Sequence, residues 1–423
     1  MIAPALTEEL RPPLSDQESL LEADRCLCCG GPYAPAPCSA TCPAGIDVPG
    51  FVAALAVGDR VGAAKTIFAE NLLGGSCARV CPVEVLCEGA CVLPDPIAIG
   101  ALQRHATDAA LLAGEPSFLR RRDPATGRSV AVIGAGPAGL VCAGELATLG
   151  HAVTVYDEHP EPGGLVRYAI APYREQREPL PAEAHALGAL GVELRLGEHV
   201  ALEELDGVDA IFLAVGLGDD ADVRYPGDDL PGVWESLPFI AALKTGVPPR
   251  LGEDVVVVGG GNTAIDVACE ARRLGAPRVT LVYRRTRREM PAYAHEVDEA
   301  EAEGVEFRFL ADPVRLLGTH HVEGVELRAM QLGEPDESGR RRPQPVPGSE
   351  FALRADTVVK AIGQRVRPEF AALLATADPE TGRTADPRIF AGGDAVNGGS
   401  SVVEAVREAK RAADAIDGGL RCR

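Results

Sequence analysis

The chain has 423 residues, 46% of them hydrophobic and 24% charged, a balance that excludes a disordered or collagen-like polymer and predicts three separately packed domains. Its 62 acidic and 41 basic side chains leave a formal net charge of −21. That field repels phosphate backbones and anionic lipid, so neither nucleic acid nor a membrane surface is an expected partner. Residues Met1 to Leu21 carry neither the basic start nor the apolar core of a secretory leader, and no later apolar run approaches the roughly 18–20 residues that span a bilayer. A soluble, cytoplasmic protein is expected, and in a reducing compartment its cysteines point to metal or redox chemistry before disulfides.

Nine of the 12 cysteines fall between Cys26 and Cys91, which marks a separate N-terminal module, residues 1–120. Their spacings are Cys26-x2-Cys29, Cys38-x3-Cys42-Pro43, Cys77-x3-Cys81-Pro82 and Cys87-x3-Cys91. Pairs this close, with proline after the last, bring thiolates to one face of an iron–sulfur cluster, and nine thiols match two four-iron clusters. Structural zinc is the competitor, but zinc sites usually repeat the two-residue gap, and three-residue gaps dominate here. Between the pairs, apolar residues at mixed three and four spacing over Val48 to Leu72 predict short helices.

From Arg128 the texture changes to apolar runs (Val130–Ile133, Val153–Tyr156, Ala210–Val215, Val255–Val258, Val279–Tyr283) separated by helical patterns over Leu140–Leu149 and Ala264–Leu274. These predict buried parallel strands in doubly wound sheets. The first strand runs into Gly134-Ala135-Gly136-Pro137-Ala138-Gly139: the first glycine permits a tight turn, the second lets backbone approach a pyrophosphate, the third lets helix pack on strand. Asp157 ends the second strand 18 residues past Gly139, where a ribose hydroxyl needs an acceptor.

The unit recurs about 125 residues on as Gly259-Gly260-Gly261-Asn262-Thr263-Ala264. Its second strand ends not in an acid but in Arg284, Arg285, Arg287 and Arg288, whose forks match phosphate oxygens, so this site is expected to prefer NADPH over NADH. Glu334 to Gly348, rich in glycine, proline, arginine and acids, is expected to be an exposed excursion between strands. Two such units commonly hold one flavin and one nicotinamide. Beyond residue 91 the cysteines stand singly at 142, 269 and 422, so no flavin–disulfide relay is expected.

With these motifs in hand, the chain resembles the small subunit of NADPH-dependent glutamate synthase and related FAD/iron–sulfur oxidoreductases, including the flavoprotein chain of bacterial dihydropyrimidine dehydrogenase. The matching stretches are Arg25-Cys-Leu-Cys-Cys29, Cys42-Pro, Cys77-Ala-Arg-Val-Cys81-Pro, Leu86-Cys-Glu-Gly-Ala-Cys91, Pro96-Ile-Ala-Ile-Gly100-Ala-Leu-Gln103-Arg, Pro162-Gly-Gly-Leu165 and Phe390-Ala-Gly-Gly-Asp394. The resemblance implies an N-terminal α-helical iron–sulfur domain followed by two Rossmann-like α/β domains, the NADPH domain (249–354) inserted in the FAD domain (128–248 and 355–423). It assigns Cys26, Cys29, Cys38 and Cys91 to one cluster and Cys42, Cys81, Cys87 and Gln103 to the other, leaving Cys28 and Cys77 spare. FAD is implied at the first fingerprint and Asp157, with Gly164, Leu165, Gly363, Gly393, Asp394 and Val402 also at the cofactors; NADPH is implied at Gly259, Gly261, Asn262, Thr263, Arg284, Arg285 and Arg288. The chain departs from the family in a lengthened loop, Gly30 to Pro37, in Tyr168-Ala-Ile-Ala-Pro172, and in Ala409.

The implied chemistry is hydride transfer from NADPH to FAD, then single electrons through the clusters to a partner catalytic subunit, in a hetero-oligomer. For a glutamate synthase, a large flavin-containing partner makes glutamate from glutamine and 2-oxoglutarate; for a dihydropyrimidine dehydrogenase, a smaller partner reduces a pyrimidine. A nucleotide-dependent redox sensor without turnover is the non-enzymatic alternative, against which two complete fingerprints argue. No side chain is nominated as a general acid or base, and His105, His295, His320 and His321 are expected to be structural or surface residues.

Overall fold

The computed structural model describes residues 9–113, 118–336 and 339–422. The cysteine-rich segment is built from helices: α1 (Asp16–Asp24), α2 (Pro37–Ala40), α3 (Val48–Ala56), α4 (Arg60–Glu70), α5 (Gly74–Val80) and α6 (Ile99–Leu112). The helices expected over Val48–Leu72 are α3 and α4. Each begins at an aspartate, Asp47 or Asp59, whose side chain accepts the N–H of Gly50 or Gly62, satisfying a donor the first turn leaves open. Phe51, Val52 and Leu55 on α3, and Ile67 and Phe68 on α4, are buried.

The chain then becomes α/β with β1 (Ser129–Ile133), α7 (Pro137–Thr148), β2 (Ala152–Asp157), α8 (Leu165–Tyr168), α9 (Leu180–Ala189), β3 (Glu193–Leu196) and β4 (Ala210–Leu213). Next come β5 (Asp219–Asp220), β6 (Val233–Glu235), α10 (Ser236–Lys244), β7 (Asp254–Gly259), α11 (Asn262–Arg273), β8 (Arg278–Tyr283), α12 (Ala294–Ala302), β9 (Glu306–Phe309), β10 (Ala311–Gly318), β11 (Val322–Pro335), β12 (Arg341–Arg354), β13 (Thr357–Ala361) and β14 (Gln364–Arg365). The chain finishes with α13 (Pro368–Leu374), β15 (Ile389–Ala391), α14 (Asp394–Asn397) and α15 (Val402–Arg421).

Two five-stranded parallel sheets result, ordered β15-β4-β1-β2-β3 and β6-β13-β7-β8-β9. In each, the first strand of a glycine fingerprint lies next to the strand that follows it and, on its other side, next to a strand from later in the chain, the switch point where α/β sheets bind nucleotides. Strands β6 and β13 extend the second sheet beyond the expected limits of residues 249 and 354, because Val358–Lys360 pair with Val233–Glu235 and Thr357–Ala361 with β7. Glu334–Gly348 is not a loop excursion: its described residues lie mostly on the arms of the β11–β12 hairpin. Composition hid it because β12 is an edge strand, where Pro343, Pro345 and Pro347 remove no needed donor.

By mutual contacts the described residues form two compact units. One gathers those of Leu10–Arg167, Arg177–Gly218 and Val366–Arg423; the other those of Tyr168–Gln176 and Asp219–Arg365, with Glu9. The first unit holds both the cysteine helices and the first sheet. Gly144 on α7 contributes to this union: a Cβ there would fall 2.2 Å from Leu72 Cδ1 and 2.9 Å from Leu187 Cδ2, so a larger residue would require those leucine ends to move. Lys410 on α15 adds a polar clasp, its Nζ donating to Ala44 O at 2.9 Å and Glu70 O at 3.0 Å, and pairing with the Glu70 carboxylate at 2.6 Å. The second unit packs Val256, Val258 and Val358 of its parallel sheet against Leu316, Val325 and Leu327 of the antiparallel β10-β11-β12 sheet. No helix among the described residues is long and apolar enough to cross a membrane.

Candidate cofactor and cluster sites

In the first unit, β1 delivers its chain into a turn that only glycine fits. Gly134 has φ +104°, and a Cβ there would lie 2.4 Å from Ala214 O; a Cβ on Gly139 would lie 1.9 Å from Gly134 O. Gly136 caps α7 without a side chain, and Pro137 occupies its first turn, so the N–H groups of that turn stay open to an anion. A second loop folds over the first: Gly163 N donates to Ala135 O at 2.7 Å, and a Cβ on Gly164 would lie 2.9 Å from Gly136 Cα. Leu165 opens α8 directly behind it.

Asp157 ends β2 beside this cradle. Its Oδ2 accepts from Ala135 N at 2.7 Å, while Oδ1 accepts from His159 N at 2.8 Å and meets His159 Nδ1 at 3.0 Å. Burial alone would raise its pKa, but the bonds from His159 and Ala135 together outweigh that and hold it below the ordinary aspartate value, so it remains an acceptor. From the end of the chain, Gly393, with φ +74°, reaches α7: a Cβ there would lie 2.8 Å from Ala138 Cβ. Asp394 accepts from Ser400 N at 3.1 Å, and burial pushes its carboxyl up to about 6. Val402 opens α15 behind the Ser401 cap. One residue of this corner escaped sequence reasoning: Glu408, whose two oxygens accept from Gly393 N at 2.8 Å and Asn397 Nδ2 at 3.0 Å. Its partners lie 11 and 15 residues away across a turn, and no local motif marks it.

In the second unit the fingerprint takes the same form. Gly259, at φ +155°, leaves no room for a Cβ, which would fall 2.2 Å from Ala361 O; Gly260 is filled by the Tyr283 ring, 2.4 Å from where a Cβ would be. Gly261 caps α11 without a side chain, and Asn262 fixes the following loop by accepting from Tyr293 N at 3.0 Å. Thr263 stands half-buried in the first turn. Gly363, at φ +121°, follows β13 in this same unit and accepts from Ala221 N at 2.8 Å. The arginines at the end of β8 divide. Arg285 is buried and engaged, donating to Arg341 O at 2.8 Å and pairing with Asp336 at 2.7 Å. Arg287 pairs with Asp298 and Glu301 of α12. Arg284 and Arg288 are exposed, and neither makes an ion pair among the described residues. Of the three arginines assigned to phosphate by resemblance, Arg285 therefore holds the β11–β12 hairpin, and Arg284 and Arg288 stand open.

All 12 cysteines are free thiols. Cys26, Cys29, Cys38 and Cys91 line one pocket, walled by Val48, Val52, Ile97 and Ile99 and rimmed by the exposed Leu27 and Val92. Cys28, in the left-handed region at φ +48°, is exposed and is not part of that lining. A second group forms around α5. Burial, then Cys77, Cys87 and Cys42, raises the Cys81 thiol well above its ordinary pKa; burial, then Glu88 and Cys42, pushes Cys87 up to about 12. Thiols held neutral in this way become ligands when a cation supplies the missing charge. Gln103 is buried in the same helical packing, its Nε2 donating to Gly74 O at 2.7 Å at the head of α5. No three His, Cys, Asp or Glu side chains among the described residues converge as the ligands of one ion do. A four-iron cluster is held by four protein ligands, most often cysteine thiolates, and the first pocket presents four such thiols.

The fold and these sites define a flavin- and pyridine-nucleotide-dependent oxidoreductase with an iron–sulfur module. The family model described as pyridine nucleotide-disulphide oxidoreductase matches residues 128–409, and that described as dihydropyrimidine dehydrogenase domain II, 4Fe-4S cluster, matches residues 5–114. The glutamate synthase [NADPH] small chains of Halomonas elongata and Escherichia coli are each 37% identical, over 96% of this chain and 92% and 93% of their own. The NADP(+)-dependent formate dehydrogenase subunit beta of Moorella thermoacetica is 40% identical over 92% of this chain and 60% of its own. Among solved structures, Mycobacterium tuberculosis FprA shares the fold at TM-score 0.59 and 23% identity (71% of this chain, 85% of that one), and Lactococcus lactis thioredoxin reductase at 0.55 and 21% (70% and 100%). The chain belongs to the family of glutamate synthase small chains and related FAD/iron–sulfur oxidoreductases.

Proposed function

We propose that this chain is the NADPH-oxidising electron-entry subunit of a cytoplasmic complex whose larger, flavin-containing partner carries out glutamate synthesis from glutamine and 2-oxoglutarate. The observation that carries this reading is the presence in one chain of two glycine cradles, each at a sheet's switch point, together with two cysteine groups. Bound there, FAD would supply a hydride acceptor for NADPH, and two 4Fe–4S clusters would supply single-electron carriers. The chain's own part is to bind and orient. The α7 amides and Gly136 receive the flavin pyrophosphate, Asp157 accepts from its ribose, and Gly393 and Asp394 close over the first turn of α7. In the second unit Gly261, Asn262 and Thr263 receive the nicotinamide nucleotide. Cys26, Cys29, Cys38 and Cys91 hold one cluster, and Cys42, Cys81, Cys87 and Gln103 the other.

Preference for NADPH rests on Arg284 and Arg288. Alanine at either is expected to raise KM for NADPH about tenfold, the lower end of a charge-assisted hydrogen bond's worth, with little change for NADH. Arg285→Ala is expected to lower Tm and leave the NADPH/NADH ratio alone, because it breaks the buried pair with Asp336. Steady-state rates with both nucleotides and a one-electron dye separate the two outcomes.

The proposal as a whole is tested by anaerobic titration of the purified chain with NADPH and NADH, after assay of flavin, iron and sulfide. FAD with about eight iron atoms per chain, bleached preferentially by NADPH, is the expected result. Zinc in place of iron, or no response to either nucleotide, would sink it.

A further inference from the structure

Among the buried charges that neither cofactor site uses, Glu183 stands out. It lies on α9, between the second and third strands of the first sheet, and is 2% exposed. Its Oε1 accepts from Gly75 N at 2.6 Å and Ser76 N at 3.2 Å, and its Oε2 from Ser76 Oγ at 2.6 Å. These are the first-turn donors of α5, whose own N-cap, Leu73, has no side chain to offer. Helices usually satisfy such donors with a neighbouring serine, threonine or aspartate. Here the cap comes from 108 residues away in sequence.

The approach is tight. A Cβ on Gly75 would fall 2.9 Å from Pro179 Cγ and 3.0 Å from Glu183 Oε1. Helix α5 has only seven residues, less than two turns, so a shift at its head is carried undamped to its foot, where Cys81 caps it with N–H to Cys77 O. The same head is gripped from α6 by Gln103 through Gly74 O, and Arg79 bonds Gly75 O while pairing with Asp108. Helix α9 packs in turn on α7, whose N-terminus faces the first glycine cradle.

We propose that Glu183 is a positioning residue for the second cluster: by clamping the head of α5 from the flavin-binding fold, it sets Cys81 and Gln103 in the register a four-iron cluster needs and fixes that cluster against α7. This rests on the assignment of Cys42, Cys81, Cys87 and Gln103 to one cluster.

The test uses the full chain as wild type, Glu183→Ala and Glu183→Gln, with flavin and iron assays, a thermal melt, and low-temperature EPR of the dithionite-reduced protein. Glu183→Ala is expected to keep FAD and one cluster signal and lose the other, iron falling from about eight to about four atoms. Glu183→Gln keeps an oxygen for the backbone donors but alters the bond to Ser76; it is expected to keep all its iron and shift the lines of one cluster only. Unchanged spectra in both variants would overturn the proposal, as would parallel loss of flavin and both clusters in Glu183→Gln, which marks a general folding role. Should Glu183→Ala fail to fold, the Glu183→Gln spectrum decides by itself. A wild type without iron would refute the cluster assignment itself, an outcome distinct from unchanged spectra in an iron-replete protein.

Discussion

Gly139→Ala is expected to cut the FAD that copurifies with the chain to less than about a tenth, since forcing a methyl into a packed contact costs about 1–3 kcal/mol and here acts directly on the binding loop. The added Cβ would lie 1.9 Å from Gly134 O and 3.2 Å from Val132 Cγ1. Neither atom can yield: the carbonyl belongs to a turn locked by φ +104°, and the valine is in the sheet. Relief comes only if α7 slides away, and its N-terminus is the element proposed to receive the pyrophosphate. Gly188→Ala is the matched control, since a Cβ there meets nothing within 4 Å, and helix propensity alone predicts slight stabilisation. Flavin-to-protein ratio and a fluorescence titration of FAD into stripped protein give the comparison. A Gly139→Ala protein with full flavin would show that the first fingerprint is not the flavin site.

The second large effect concerns iron. Cys91→Ala is expected to remove one cluster, with iron dropping from about eight to about four atoms per chain, because it takes one of four thiols from the pocket shared with Cys26, Cys29 and Cys38. Cys28→Ala, at an exposed cysteine outside that pocket lining, is expected to leave iron unchanged. NADPH should still bleach the flavin of Cys91→Ala, while electron delivery to a one-electron acceptor falls more than about tenfold, because cofactors in series fail at the missing member. The other group poses a finer question, since Cys77 is buried beside Cys81 and is the alternative to Gln103 in the proposed ligand set. Loss of that cluster in Gln103→Ala and its survival in Cys77→Ala is the expected pair of results; the reverse would transfer the ligand role to Cys77.

What could be seen in the sequence was what is local. Valine-rich runs, glycines at fixed spacing and helix patterns placed β1, α7, β7 and α11, because a buried parallel strand and the turn after it are specified within about 30 residues. The grouping of Cys26, Cys29, Cys38 and Cys91 needed family resemblance, since Cys91 is far along the chain and only the fold returns it to the pocket. Arg285 illustrates what could not be seen: four arginines look equivalent as letters, and only the hairpin that brings Asp336 to one of them separates it from Arg284 and Arg288. Strands β6 and β13 were hidden for the same reason, being short and recruited into the second sheet by pairing across more than 120 residues. Glu183 and Glu408 sit in ordinary helical sequence, and their task is set by which backbone amides arrive opposite them.

The clasp between Lys410 and the carbonyl of Ala44 joins residues 366 apart. A chain emerging from the ribosome at about 5–20 residues per second exposes its cysteine helices for tens of seconds before α15 exists. Contacts of such long range close late, after the entropy of a large loop has been overcome. The cysteine helices are thus expected to have a period of looseness in which iron and sulfide can be delivered, ended by the arrival of the last helix. On this view α15 acts as a timer as well as a wall, and pulse labelling of nascent chains halted before and after residue 402 would register it as a step in thiol protection.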